Sequence, residues 1–376
     1  MIRGVVFGLV LMAVARAGVA GVLPEDRIDV LMHRYDGGGV TIQGPSVLVR
    51  KQFAQKFSVS ANYYVDQVSS ASIDVITTAS PYKEERTQKS IGLDYLHDRW
   101  TMNIGVINSV ENDYTANTFT FGVSQDVFGD LTTISLGYSL GNNEVRRRGD
   151  PTFHDTVKTQ SYRLGVSQIL TKNLLVGLSF ETITDEGFLN NPYRQVRYAD
   201  PGSPLGYSYQ REIYPRTHTS DAAALRMRYF LPYRAALSAE YRDYHDTWGV
   251  KSGTFEIGYT HPVDHWTFEG KIRNYSQTKG DFYSDLFPRV NYQNFLARDK
   301  ELSTFTSQSL SLGATYDIVR SGWKFIDKGT LNVILDHMMF DYKDFRDLRT
   351  RGVAAGTEPL YSFDADVFQL FVSFWF

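Results

Sequence analysis

Residues 131–141 read LTTISLGYSLG, and every second side chain in the middle of this stretch is apolar. Ile134, Leu136, Tyr138 and Leu140 fall on one face of an extended chain, while serine and glycine occupy the other face. A period of two is typical of a β-strand whose two faces meet different surroundings. The same alternation recurs from Arg27 onward. The sequence therefore predicts an all-β protein.

The length of the predicted strands distinguishes a β-sandwich from a barrel. Sandwich strands usually have about five or six residues and pack one apolar face against another. The alternating segments here extend over roughly ten residues or more, which is the length that a tilted strand needs to cross a bilayer. Because lipid offers no partner to an unpaired sheet edge, such a sheet must close. We therefore expect a transmembrane antiparallel β-barrel.

Sixteen strands are predicted. Fourteen remain possible, because the hairpin predicted across Gly37–Gly39 determines the barrel end at which each later connection lies. Short turns alternate with long connections, and all the long connections fall on one side, as periplasmic turns and extracellular loops do in outer-membrane barrels. The predicted strands are 28–36, 40–51, 56–67, 85–96, 99–111, 115–126, 130–142, 158–169, 172–184, 220–231, 234–245, 249–261, 265–276, 304–317, 328–342 and 363–376. The long predicted connections are 68–84, 143–157, 185–219, 277–303 and 343–362.

The first twenty residues have the composition of a signal peptide. Arg3 precedes an uncharged apolar run that is too short to span a bilayer, and small residues follow. Cleavage after Ala17 or Ala20 fits, and we prefer Ala20, which leaves residues 21–376 as the barrel. Removing Arg3 and Arg16 leaves 37 basic against 42 acidic residues, a net charge of about −5 that disfavours nucleic acid as a partner.

The last strand ends in DVFQLFVSFWF, residues 366–376. Its outward face would carry Phe368, Leu370, Val372, Phe374 and Phe376. A terminal phenylalanine after apolar residues at every second position resembles the β-signal through which the barrel-assembly machinery recognises its clients. An amphipathic strand of this kind can add to a sheet edge during insertion.

The face opposite the apolar one carries charges of both signs on neighbouring predicted strands. Opposite charges across strands support each other, and in an open lumen they could set an ion preference. A structural network that lines or blocks the lumen is the alternative. The predicted lumen charge ladder consists of Glu181, Arg226, Arg228, Glu240, Arg242, Glu256, Glu269, Lys271 and Arg273.

Two predicted loops, 185–219 and 277–303, carry aromatic and basic residues. In 185–219 these include Tyr193, Arg194, Arg197 and Tyr198. Loops of this length and composition fold inward as a constriction or outward as a binding face, and we favour inward packing. The run Arg146–Arg148 in another loop could pair with lipopolysaccharide phosphates or remain solvated.

Four segments resemble an uncharacterised bacterial outer-membrane family, catalogued as domain of unknown function 3570. They are GGGVTIQGPSVLVRKQF (37–53), YYVDQVSSAS (63–72), TASPYKEER (78–86) and NPYRQVRY (191–198). The resemblance covers nearly the whole chain after residue 20 and implies a location in the outer membrane. It implies no site residue, and only loosely a periplasmic or lipoprotein partner.

The sequence offers no signature of catalysis. The eight histidines are not spaced as metal ligands, and there is no cysteine. The segments GVSQD and GVSQI lack the second glycine of a nucleophile elbow, and no phosphate-binding loop occurs. We therefore expect no enzyme, cofactor or metal. The favoured function is a passive outer-membrane channel for small polar solutes. The alternative is a loop-plugged barrel that serves as membrane partner in a periplasmic or surface complex.

We predict that the terminal strand is needed for insertion of the protein into the outer membrane. Deleting Phe376, or replacing Phe374 and Phe376 by Asp, should reduce the heat-modifiable folded form in the outer membrane, because the terminal strand would no longer be recognised. The measurement is the ratio of folded to unfolded bands in unboiled membrane samples. Unchanged folded protein would show that the tail is not a recognition signal.

Overall fold

The computed structural model describes residues 22–69, 83–319 and 325–376. Sixteen strands form one closed barrel in which neighbouring strands are antiparallel, and two further strands form a separate hairpin. This confirms the predicted fold and strand number, and it excludes fourteen. The predicted signal peptide and its cleavage sites lie outside the described residues. Among the described residues, no helix has the length and apolar character needed to cross a membrane.

The barrel closes through its first and last strands. The hairpin β10–β11 is not part of the barrel wall, and β9 pairs directly with β12. The strands are β1 (Arg27–Gly37), β2 (Val40–Phe53), β3 (Phe57–Ser69), β4 (Lys83–His97), β5 (Trp100–Val110), β6 (Tyr114–Val127), β7 (Thr132–Arg147), β8 (Asp150–Thr171), β9 (Leu174–Gly187), β10 (Gln195–Ala199), β11 (Tyr207–Arg211), β12 (Thr217–Phe230), β13 (Ala236–Asp246), β14 (Lys251–Val263), β15 (Trp266–Gln277), β16 (Phe305–Val319), β17 (Lys328–Arg346) and β18 (Leu360–Trp375).

Short turns lie at the barrel end that carries β1's start and β18's end, and the long connections lie at the opposite end, called the far end below. The first hairpin closes at the far end through Gly38 and Gly39, whose φ angles of 60° and 82° suit a two-residue turn matched to the strand twist. One predicted loop was wrong. Residues 143–157 are mostly strand, because β7 and β8 continue to a turn at 148–149. The outward residues of this stretch are polar, so the sequence no longer alternates between apolar and polar residues. The backbones of β7 and β8 nevertheless remain paired.

The outward face of the barrel carries an apolar band with a polar boundary at the far end. Exposed aromatic residues, including Trp100, Tyr229, Tyr259, Trp266 and Tyr316, mark the opposite boundary. Such aromatic belts are typical of membrane interfaces. We define the polar ring as the first polar outward residues beyond the apolar band: Arg34, Gln43, Lys89, Asn108, Asn117, Asn142, Gln160, Asp221, Asp243, Asn274, Gln308, His337 and Asp366.

Strand β18 shows the same alternation. Phe368 and Leu370 are exposed on the outward face, whereas Ser373 on the inward face is buried. By their spacing, Val372, Phe374 and Phe376 continue the outward set. The Lys51 ammonium lies 4.8 Å from the centroid of the Phe376 ring. The tail is therefore paired into the barrel wall.

Candidate functional site: the lumen and its far opening

The lumen charge ladder lies on the inward face of one part of the wall. Arg226 is paired across the strands with Glu240, Glu240 with Glu256, and Glu256 with Arg273, so one row crosses β12 to β15. The Arg226 Nε atom lies 2.6 Å from Glu240 Oε2. The Arg226 side chain remains 48% exposed. These charges are therefore cross-linked but still reachable by water.

The remaining ladder residues flank this row. Lys271 lies 3.2 Å from Glu269, and Arg242 lies 3.8 Å from Glu181. Arg228 is one inward position further along β12, opposite Ser238. Arg163 also belongs to these inward charges, with its Nε atom 2.5 Å from Glu181 Oε1, but it was not predicted from the sequence. Its position next to the outward Leu164 on β8 is the signal that could have identified it.

Three far-end connections fold together over the opening; residues 188–216, 278–304 and 347–359 are called the loop cover below. The hairpin β10–β11 belongs to the first segment, and Tyr198 and Ile213 form backbone bridges with Phe287 and Leu296 of the second. Val196, Phe287 and Leu296 are buried together with Tyr198 against them. The first two segments thus share a small apolar core of their own.

A buried ion-pair network joins all three segments of the loop cover. The fully buried Arg197 guanidinium donates to Glu358 Oε1 at 2.5 Å and to the Asp285 carboxylate. Arg298 donates to Asp285 Oδ1 at 2.8 Å, and its guanidinium lies over the Phe345 ring. In the barrel, β12 to β16 lie between β9, where the first segment begins, and β17, which precedes Glu358. The network therefore connects distant parts of the wall across the opening.

Electrostatics favour the ionised state of this network. Burial alone would lower the pKa of Arg197, but hydrogen bonds to Glu358 and Asp285 and their negative charges outweigh burial and raise it. Burial likewise opposes ionisation of Glu358, yet the hydrogen bond from Arg197 holds the Glu358 pKa below its ordinary value. Removing one partner of such a buried pair typically costs about 3–5 kcal/mol, because the other charge is left unpaired.

The structure places all four predicted loop residues in the loop cover. Tyr193 accepts a hydrogen bond from the Arg148 backbone N–H at 2.7 Å, which ties the cover to the β7–β8 turn. Arg194 is ion-paired with Asp299. Of the predicted arginine run, Arg146 donates to Glu144 at 2.9 Å and Arg147 lies 6.0 Å from the Tyr193 ring. These two side chains already have contacts within the protein.

A histidine lies below the loop cover at the far end of β12. His218 is flanked by Asp246 Oδ2 at 3.0 Å and Asp185 Oδ2 at 3.4 Å, and its ring is 4.3 Å from Trp248. Trp248 in turn packs against Tyr214 and Phe282 of the cover. Burial would lower the His218 pKa, but the two carboxylates raise it to about 9. Because both ring nitrogens face carboxylates, neither is available to activate a nucleophile.

Three carboxylates cluster at another part of the far end. Ligand oxygens of Glu84, Glu111 and Asp113 lie within 4.8 Å of one another. Carboxylate oxygens suit Ca²⁺, although no metal site was predicted from the sequence. Arg86 lies 3.8 Å from Glu111, and burial together with the neighbouring carboxylates raises the Glu84 pKa to about 7. The positive charge of Arg86 opposes cation binding at this cluster.

Comparison with known proteins identifies the family and finds solved structures to which the chain is similar. A family model described as "Protein of unknown function (DUF3570)" matches residues 73–162 and 146–356. No curated protein matches the sequence. Similar solved structures include a bacterial polysaccharide outer membrane secretin, which is 10% identical, with 95% of this chain and 99% of that chain covered and a TM-score of 0.49. Pseudomonas aeruginosa OprD is 12% identical, with 95% and 96% covered and a TM-score of 0.42. A Pseudomonas aeruginosa FadL homologue is 11% identical, with 93% and 90% covered and a TM-score of 0.41. The fold resembles those of bacterial outer-membrane barrels.

The raised pKa of His218 predicts a pH-dependent stability. A protonated His218 stabilises the folded state fully below about pH 6.5, its ordinary pKa, and this contribution is lost as the pH rises through about 9. The temperature at which the folded band disappears should therefore fall between pH 6 and pH 10. His218→Gln should remove most of this fall, whereas the exposed His245→Gln should retain it. Equal falls in both variants would contradict the assignment.

Proposed function

The chain belongs to the DUF3570 family of proteins of unknown function, and we propose that it is an outer-membrane channel for small polar solutes, narrowed at its far opening by the loop cover. The observation that carries this proposal is the partial exposure of Arg226 and its neighbours inside a closed barrel. Charged groups in a lumen stay ionised at low cost when water reaches them. A hydrated, charged lumen suits ions and small polar solutes.

The proposed location in the outer membrane is supported by the surface of the barrel. The apolar band ends in aromatic side chains near the termini and in the polar ring at the far end. Such a surface matches a hydrocarbon layer between two interfaces. In this location the far end faces the cell exterior. The barrel-assembly machinery would insert the chain, and the proposal includes neither catalysis nor a cofactor.

A second candidate is a plugged barrel that anchors or serves a periplasmic or surface complex. The ion pairs of Arg197 favour it, because they fasten the loop cover across the opening. Both candidates use the same fold and differ in whether solutes pass. Conductance therefore separates them.

The channel proposal predicts small, reproducible single-channel steps for the folded protein in planar bilayers. Arg197→Met should increase the step size several-fold, because Asp285 and Glu358 lose their shared partner and the loop cover loosens. Arg211→Met, at an exposed position of the same hairpin, should conduct like the unmodified protein. Absence of steps in folded, heat-modifiable protein of all three forms would overturn the channel and favour the plugged barrel.

The lumen charge ladder predicts a change in ion preference that can be measured separately. Arg228→Glu replaces an inward positive charge by a negative one, so the reversal potential in a salt gradient should shift towards that of a cation-preferring channel. Lys251→Glu makes the same charge change on the outward face and should leave the reversal potential unchanged. Equal reversal potentials for all forms would show that the ladder does not line the conduction path.

A further inference from the structure

A depression on the outward surface spans strands β4 to β7 at the polar ring. Its polar rim consists of Lys89, Asn108, Asn117 and Asn142, and each of these residues is directly paired with the next across neighbouring strands. The depression has a volume of about 430 Å³. It therefore lies where the apolar band meets the polar surface.

The floor of the depression is apolar. Ile91, Val106, Phe119 and Leu140 are paired in the same order, one outward position nearer the termini than the rim residues. Ile91 is 61% exposed and Val106 56% exposed. An occupant must therefore present hydrocarbon to the floor and polar groups to the rim, which is the division found in a membrane lipid.

The rim identifies the class of polar group. Asn108 donates to the Asn117 side-chain oxygen at 2.8 Å, and this bond uses neither the Asn108 oxygen nor the Asn117 amide hydrogens. Amides offer both donors and acceptors, which suits sugar hydroxyls. Lys89 and Lys158, the cross-strand partner of Asn142, flank the amide row. Within residues 22–69, 83–319 and 325–376 neither lysine forms an ion pair, Lys158 not even with its cross-strand partner Glu186, so both can approach phosphates.

A second outward depression does not combine an amide row with basic side chains that form no ion pair. It has a volume of about 370 Å³ and is lined by Arg34, Asp36, His337 and Asp366. Asp36 accepts from Arg34 at 3.0 Å, and Asp366 lies 2.8 Å from the His337 ring nitrogen. Carboxylates already accompany both basic groups there. An anionic headgroup is therefore favoured at β4–β7 and disfavoured at the second depression.

We propose that the β4–β7 depression binds one phosphorylated glycolipid of the outer leaflet. In this arrangement Lys89 and Lys158 contact phosphate, the three asparagines contact sugar hydroxyls, and an acyl chain lies along the apolar floor. The inference rests on the proposed membrane location but not on conduction, so it can fail while the channel proposal holds.

Binding can be measured with the folded full-length chain in detergent. Native mass spectrometry with diphosphorylated lipid A as the probe should show saturable binding of one molecule. Asn108→Leu with Asn117→Leu, or Lys89→Met with Lys158→Met, should weaken this binding at least tenfold. The matched controls Asn274→Leu and Lys251→Met, on β15 and β14 outside the depression, should bind like the unmodified protein. Heat-modifiability verifies that each variant is folded.

Two probes and one mass measurement could overturn the proposal. Dephosphorylated lipid A and phosphatidylethanolamine should bind at least tenfold more weakly, and equal binding would mean that the rim does not recognise a phosphorylated sugar. Unchanged lipid A binding by both double variants would also overturn it. A dimer that disappears in the same double variants would identify a second copy of the chain as the occupant instead.

Discussion

Backbone pairing between β1 and β18 is the interaction on which the rest of the structure depends. It extends over eleven residue pairs, from Arg27 opposite Trp375 to Gly37 opposite Ala365. Without it, both strands would expose unpaired N–H and C=O groups, which are costly in an apolar environment. Closure also gives every strand an inside and an outside. The period of two in the sequence therefore becomes a separation between two environments.

This separation explains where the charges lie. A one-residue shift of register would move the whole inward set of a strand to the apolar band, so the alternation fixes the register strongly. Inside the barrel, the row from Arg226 to Arg273 keeps opposite charges within reach across neighbouring strands. At the far end, where the apolar band stops, outward residues become polar without interrupting the backbone ladder, as Asn142 and Glu144 show on β7.

The sequence predicted the wall well and the loop cover poorly, for a physical reason. Strand periodicity is local, so all sixteen wall strands could be located, with their largest errors at the far ends of β7 and β8. The contacts of the cover are not local: Arg197 and Glu358 are 161 positions apart, and Arg197 and Asp285 are 88 apart. Composition identified Arg197 as a loop residue of interest, but no spacing rule relates it to these carboxylates. Residues 143–157 were misread because pairing continues there after the apolar pattern ends.

Charged contacts give the loop cover a different character from the wall. Asp285 accepts from both Arg197 and Arg298, and Arg197 also holds Glu358, so the three segments share partners rather than forming separate pairs. Loss of one segment leaves buried charges unpaired in the others, which favours all three being in place or displaced together. Ion pairs that are shared in this way therefore favour a cover whose three segments are positioned together.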